Sequence, residues 1–185
     1  MTMPRLNPPD VEQMSEHQRR VYDAIASGPR GKVRGPLAIW LHRPGLAEHA
    51  QALGQYCRYD SSLPPRLSEL AILTMAALWR APFEWWAHHP IALKAGLDAD
   101  VAEQIRAGTT PVFTQRDESV VYRFVRELVE TRQVPDALYQ EAVEVLGQDG
   151  VVDLVGMAGY YTLISMTLSV FEIPTPDGST VEFGR

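Results

Sequence analysis

Residues 67–77 constrain the fold of this 185-residue chain more than any other segment, because they are apolar on every face of a helix. Leu70 and Leu73 recur at helical spacing on one face, while Ile72 and Met75 make the other faces apolar as well. A helix that is apolar all round lies in the interior of a protein. The sequence therefore predicts a central buried helix against which the remaining elements pack.

Helix start and stop signals divide the rest of the chain into short elements. Ser15 and Gln18 form a capping-box pattern, and Pro44 and Pro65 stand at first helical positions. Residues 180–183 carry the one pattern compatible with a strand. We predict a single all-α domain over residues 1–185, with about eight or nine helices. Helices are expected from residue 15 to before 28, then at 46–59, from 65 onward, 84–95, 99–107, 118–132, 135–146 and 151–171, and residues 36–42 are expected to form a short helix or a turn.

Charge and cysteine content exclude several classes of protein. The net charge of -6 argues against a partner that is a nucleic acid or an anionic membrane surface. Cys57 is the single cysteine, so the chain can form neither an internal disulfide nor a thiolate-rich zinc site. The first ten residues lack an apolar run of signal-peptide length. We therefore expect a cytoplasmic protein.

Titratable side chains stand at helical spacing within and after the buried segment. Glu84 and His88 are four residues apart, so they share a helix face and can exchange a proton near neutral pH. Arg66 and Glu69 are three apart on the preceding helix, where Glu69 can orient the histidine. Such pairs are more often surface ion pairs, and a metal site would lack a third ligand. Spacing alone leaves both interpretations open.

Three motifs in this region are shared with a known family. They are Arg66-x-x-Glu69-Leu70-Ala71-Ile72-Leu73, Ala81-Pro82-Phe83-Glu84-Trp85-x-x-His88 and Ala92-x-x-Ala95-Gly96-Leu97. They resemble the carboxymuconolactone decarboxylase family of the alkylhydroperoxidase D-like superfamily, and the resemblance is specific over residues 35–110. Residues 1–34 would then be an N-terminal arm and helix, and residues 111–185 the C-terminal helices. The resemblance implies an alkylhydroperoxidase D-like helical bundle that assembles as a homo-oligomer, a trimer or a hexamer.

Peroxidases of this superfamily carry a Cys-x-x-Cys motif ahead of the histidine. Alignment on Glu69 and His88 places Ala81 and Glu84 at the two cysteine positions. Peroxide reduction needs a thiolate nucleophile and a resolving thiol. The resemblance is therefore to the cysteine-free branch, and thiol peroxidase activity is not expected.

This branch resembles the decarboxylases that act on lactone acids from aromatic-ring degradation, without a metal or an organic cofactor. The resemblance implies that His88 is the acid/base, that Glu84 and Glu69 are its partners, and that Arg66 binds a substrate carboxylate. Further candidates for contact with a small-molecule substrate are Trp85, His42 and Tyr160. The leading interpretation is a decarboxylase or isomerase acting on a small carboxylated lactone or dienoic acid. A hydrolytic enzyme on a related substrate and a non-catalytic helical oligomer with a ligand-binding pocket are the alternatives.

Overall fold

The computed structural model describes residues 4–184, and within that range it contains eight α-helices and no β-strand. The helices are α1 (Glu16–Ser27), α2 (Pro36–Trp40), α3 (Pro44–Gln55), α4 (Pro65–Leu78), α5 (Pro82–Lys94), α6 (Ala99–Arg106), α7 (Arg116–Thr131) and α8 (Asp136–Val170). A 3₁₀ turn, Val11–Gln13, precedes α1, and a π-helical turn, Tyr56–Asp60, continues α3. The predicted all-α class is confirmed.

Helix α4 is the centre of the molecule. Every residue from Leu67 to Met75 is buried, as is Ala76, and α4 packs against α5, α6, α7 and α8. Burial on all sides agrees with the apolar sequence of this helix, since no face carries enough polar groups to lie in water. The prediction of a central buried helix is confirmed, and its neighbours α5 and α8 are placed to meet over it.

Local sequence signals account for most helix ends. The side chain of Ser15 accepts a hydrogen bond from the backbone N–H of Gln18, whose side chain caps Ser15 in return. Asp98 caps α6 through the backbone N–H of Asp100. Gly147 adopts φ 74° and ψ 168°, which breaks α8 into the two helices that the sequence predicts. A residue with a side chain would be strained at that φ.

Residues 180–183, whose sequence pattern is compatible with a strand, do not form one. The segment after α8 consists of turns and irregular backbone, and between residues 171 and 184 it forms no ladder with another strand. Side chains and isolated backbone groups hold it instead. The indole N–H of Trp86 donates to Asp177 Oδ2 (2.7 Å), and the backbone N–H of Gly184 donates to the Arg106 carbonyl oxygen (2.9 Å).

Helix α8 is the one described helix long and apolar enough to cross a membrane by length and composition. In its most apolar 18-residue stretch, however, 61% of the residues are buried inside the protein. The core helix of a globular domain has the same composition, because it too is surrounded by apolar groups. The burial indicates that α8 packs within this domain.

Asp153 on α8 anchors the π-helical turn that follows α3. Its Oδ1 accepts a hydrogen bond from the Tyr56 hydroxyl (2.7 Å), and its Oδ2 accepts from the backbone N–H and the hydroxyl of Ser62 (both 2.7 Å). Burial raises the pKa of this carboxyl, but the hydrogen bonds from Ser62 and Tyr56 outweigh it and hold the pKa below its ordinary value. The turn carries Arg58, so Asp153 fixes the segment that presents this arginine.

We expect Asp153→Ala to lower the free energy of unfolding by about 2–4 kcal/mol. The substitution removes hydrogen bonds to a charged acceptor and leaves the Ser62 N–H without its partner, and each effect costs about 1–3 kcal/mol. Urea denaturation of the purified protein measures the change. Tyr56→Phe, which removes a single hydrogen bond, is the matched variant and should cost about 1 kcal/mol. A loss below about 0.5 kcal/mol for Asp153→Ala would contradict the anchoring role.

Candidate active site

Polar side chains from three helices meet inside the protein beside α4. Glu69 lies on α4, Glu84 and His88 on α5, and Tyr160 and Tyr161 on α8, and each is at most 7% exposed. Charged groups are rarely buried to this degree unless they are paired or serve a chemical purpose. The buried cluster is therefore the leading candidate for a functional site.

His88 is held from both of its ring nitrogens. Nδ1 donates a hydrogen bond to Glu69 Oε2 at 2.7 Å. Nε2 faces Glu84 Oε1 at 3.6 Å and the Tyr161 hydroxyl at 3.4 Å. Because the Glu69 carboxylate accepts a hydrogen bond from Nδ1, the neutral ring carries its proton there and leaves the lone pair of Nε2 toward Glu84. The edge-on ring of Tyr161, 5.4 Å away at 89°, fixes the imidazole plane.

Burial gives Glu84 and His88 complementary proton affinities. It raises the pKa of the Glu84 carboxyl well above its ordinary value, although the charge of Arg58 acts in the opposite direction. It lowers the pKa of His88, although the Glu69 carboxylate opposes this shift. The site therefore favours a protonated Glu84 beside a neutral His88. Glu84 is then an acid in contact with a base, His88, and burial shifts the pKa values of the two groups toward each other.

The cluster opens onto a cleft of about 90 Å³ that is lined by four cationic side chains. Arg30, Lys32 and Arg34 come from the loop between α1 and α2, and Arg58 comes from the turn after α3. The Arg30 guanidinium donates to the Tyr160 hydroxyl (3.3 Å). None of the four forms an ion pair with any residue between 4 and 184. The cleft thus combines an acid/base pair with positive charge.

Sequence reasoning missed these four cations. Isolated arginines and lysines in loops usually form solvated surface, so no single one attracts attention. One signal was present: Arg30, Lys32 and Arg34 alternate in the stretch from Gly28 to Gly35, and alternate residues of an extended segment point to one side. Helical periodicity carries no information about such a loop.

Arg66 does not reach the cleft. Its guanidinium donates to Asp117 Oδ2 on α7 at 2.7 Å and also forms a close ion pair with Glu118. The carboxylates occupy its donors, so they are not free to hold a substrate carboxylate. The interpretation of Arg66 as a carboxylate clamp is therefore not supported by its position. The residue instead joins α4 to α7.

Of the other candidates for substrate contact, one lies in the cleft and two lie away from it. Tyr160 lines the cleft. Trp85 turns away from it, stacks on His89 with ring centroids 5.6 Å apart and meets the edge of Phe183. His42 is exposed, and its Nε2 donates to the carbonyl oxygen of Asn7 at 2.8 Å. Trp85 and His42 thus have structural contacts that explain their positions without a ligand.

Comparison with known proteins finds a family that is similar to part of this chain. Residues 44–122 match the model of the carboxymuconolactone decarboxylase family. This segment, somewhat less than half of the chain, is therefore similar to that family. The matched segment contains Glu69, Glu84 and His88, whereas Arg30 and the two tyrosines of α8 lie outside it. The three buried titratable residues therefore lie in the part of the chain that is similar to the family.

Two solved structures share the fold of this chain along nearly its whole length. One is described as an alkylhydroperoxidase AhpD core, an uncharacterized peroxidase-related protein from Ralstonia eutropha JMP134. It has a TM-score of 0.76 at 15% identity, and the match covers 96% of this chain and 94% of that one. An uncharacterized peroxidase-related protein from Silicibacter sp. TM1040 has a TM-score of 0.73 at 11% identity, with coverage of 92% and 90%. No functionally curated protein matches the chain. At these identities the likeness shows the fold alone.

We expect the stability difference between Glu84→Gln and the wild-type protein to depend on pH. The unfolded Glu84 loses its proton near pH 4.5, whereas the folded group keeps it to higher pH. The folded wild-type protein therefore loses stability as the pH rises from 4.5 through the raised pKa, and the glutamine variant does not. At neutral pH the variant should be more stable by about 0.5–2 kcal/mol, as is usual when a strained functional group is removed.

Urea denaturation of both proteins between pH 4 and pH 8 measures this difference. His88 acts in the opposite sense, because its lowered pKa destabilises the folded state as the pH falls below 6.5, but it is present in both proteins. Comparison of the two proteins therefore isolates the substitution. A difference that stays constant across the range would show that Glu84 titrates normally.

Proposed function

We propose that this chain is a cofactor-free proton-transfer enzyme, a decarboxylase or isomerase, that acts on a small carboxylated lactone or dienoic acid from aromatic-compound degradation. One observation carries the proposal: Glu84 and His88 form a buried acid/base pair that opens onto a positively charged cleft. Positive charge suits a carboxylated substrate, and the pair suits chemistry in which a proton moves to or from carbon.

Decarboxylation would use each part of the site. The carbon–carbon bond to the leaving carboxylate breaks, carbon dioxide departs, and the electron pair passes into the lactone carbonyl as an enolate, which the nearby cations stabilise. Glu84, the acid of the pair, then gives a proton to carbon. His88 takes up a proton from water in the cleft at the lone pair of Nε2 and passes it to the Glu84 carboxylate, while Glu69 holds the imidazole in its orientation. Isomerisation needs the same pair to remove a proton from one carbon and return it to another.

Thiol peroxidase chemistry is not part of the proposal, although the two similar structures are described as peroxidase-related. Cys57 is the single cysteine, is 1% exposed, and has a pKa that burial raises above its ordinary value. A peroxidatic cysteine needs access to peroxide and a lowered pKa. Cys57 has neither property, and a second thiol to resolve an oxidised Cys57 is not available within the chain.

The decisive assay incubates the protein with muconolactone-type acids in D₂O. Decarboxylation releases carbon dioxide and places deuterium on carbon, isomerisation places deuterium without releasing gas, and hydrolysis opens the lactone with neither change. We expect turnover with carbon-bound deuterium, and equal turnover by Cys57→Ser. The proposal fails if folded protein leaves every acid unchanged, or if it reduces a peroxide and loses that activity in Cys57→Ser.

We also propose that the protein works as a cytoplasmic homo-oligomer, a trimer or a hexamer. The face of α8 that looks outward carries Val152, Val155 and Val170, which are 70%, 47% and 55% exposed. Apolar groups exposed along one helix are often covered by another subunit. Light scattering at micromolar concentration should give at least three times the monomer mass, and a monomer would contradict the assembly but leave the chemistry untouched.

A further inference from the structure

The loop between α1 and α2 is built to place positive charge in the cleft. Gly31 and Gly35 adopt φ 64° and 58°, which favour glycine, and a Cβ on Gly35 would lie 2.5 Å from the Phe83 ring. Each of three cationic residues is next to one of these glycines in the sequence. Their side chains all line the same cleft; they are Arg30, Lys32 and Arg34. The backbone conformation therefore directs three cations of one short loop to one place.

The inner pair of cations, Arg30 and Arg58, has hydrogen-bond capacity that no protein group uses. Both side chains are half-buried, and in both the Nε atom is buried without a partner among residues 4–184. Glu84 Oε2, which is also buried in the wall of this cleft, lacks a partner too. Donors left unpaired in the interior cost stability, so their presence around a cavity indicates a ligand that pairs with them.

The outer pair, Lys32 and Arg34, is exposed at the mouth of the cleft. Arg34 is held there because its guanidinium lies 5.0 Å from the centre of the Trp86 ring, and the Trp86 indole in turn donates to Asp177. An arginine over an aromatic ring keeps its hydrogen-bonding edge available. A second anionic group at the mouth would meet two cations.

We propose that residues 28–35 together with Arg58 form the anion-binding element of the cleft, and that this element selects a small acid with two carboxylates. One carboxylate would pair with Arg30 and Arg58 beside Glu84, and the other with Lys32 and Arg34 at the mouth. This inference rests on the proposed function in taking the bound acid to be the substrate, but what it predicts is binding and not turnover. A cationic cleft in a chain of net charge -6 also concentrates anions where the acid/base pair lies.

The test uses two acids that share a carbon skeleton. trans,trans-Muconate is a six-carbon dienoic acid whose first and last carbons are both carboxylates. Sorbate has the same six carbons, but a methyl group replaces one of the carboxylates. Isothermal titration at one ionic strength should show muconate binding at least about tenfold more tightly. Arg58→Gln and Arg30→Gln should each weaken muconate binding about 10- to 100-fold, the usual range for a lost charge-assisted pair.

The double variant Lys32→Gln/Arg34→Gln separates the two pairs. Both side chains are exposed, so the fold should be kept, and the variant should bring muconate affinity down to that of sorbate without changing sorbate binding. Arg20→Gln, an exposed residue of α1 that makes the same charge change away from the cleft, should change neither affinity. Equal affinity for the two acids in the wild-type protein, or equal losses in Arg20→Gln, would overturn the inference.

The proposed anion-binding element and the proposed reaction can each be overturned without the other. If muconate is preferred as described but no acid is turned over in D₂O, the anion-binding element stands and the proposed reaction does not. If monocarboxylates and dicarboxylates bind and react equally well, the reaction stands and the anion-binding element is overturned.

Discussion

Replacing His88 with alanine is expected to lower kcat/KM on the best muconolactone-type acid by about 10²- to 10⁴-fold, the usual contribution of a positioned acid or base. His88 contacts both Glu69, at 2.7 Å, and Glu84, at 3.6 Å. In the proposed mechanism it returns a proton to Glu84 after each turnover, and the variant lacks this route. Steady-state assays with the wild-type and variant proteins measure the loss.

His89→Ala is the matched control for this variant. His89 is the next residue on the same helix, but its ring stacks on Trp85 and lines a different surface. It should keep kcat/KM within about threefold of the wild-type value, since it touches neither carboxylate. Circular dichroism should show the helical content of both variants unchanged. If His88→Ala retains activity at the level of His89→Ala, the catalytic assignment is wrong.

The sequence was sufficient to predict the central helix and the shared helix face of Glu84 and His88, because both depend on local spacing. Glu84 and His88 share a face through the four-residue period of α5, and Glu69 is reached across the short α4–α5 connection. Likewise the caps at Ser15 and Asp98 depend on residues at most three positions apart. Residues this close in sequence make the same contacts in almost any tertiary structure.

Contacts between residues distant in sequence could not be predicted in the same way. Arg66 meets Asp117, 51 positions away, so nothing near Arg66 shows that its charge is already neutralised. Tyr161 reaches His88 across 73 positions, and Arg30 reaches Tyr160 across 130. Each pairing depends on how α4, α7 and α8 pack, and periodicity within one helix does not specify that packing. For this reason we propose Arg30 and Arg58, in place of Arg66, as the carboxylate-binding residues.

Replacing Glu84 with glutamine should remove activity while it makes the protein more stable. Glutamine keeps the size of the side chain and its ability to donate a hydrogen bond, but it cannot give up a proton, so kcat should fall by about 10²- to 10⁴-fold. At neutral pH the variant no longer bears the free-energy cost of a buried carboxyl whose pKa is raised by burial. A purely structural residue shows the reverse pattern, because its removal costs stability.

The two readouts together separate catalysis from packing. Glu12→Gln makes the same chemical change at an exposed position and should alter neither activity nor the free energy of unfolding. Binding of trans,trans-muconate to Glu84→Gln should persist, since the cations of the cleft remain, and this would place the lost step after substrate binding. If Glu84→Gln instead loses stability and keeps its turnover, Glu84 is a packing residue, and the acid must be sought elsewhere around the cleft.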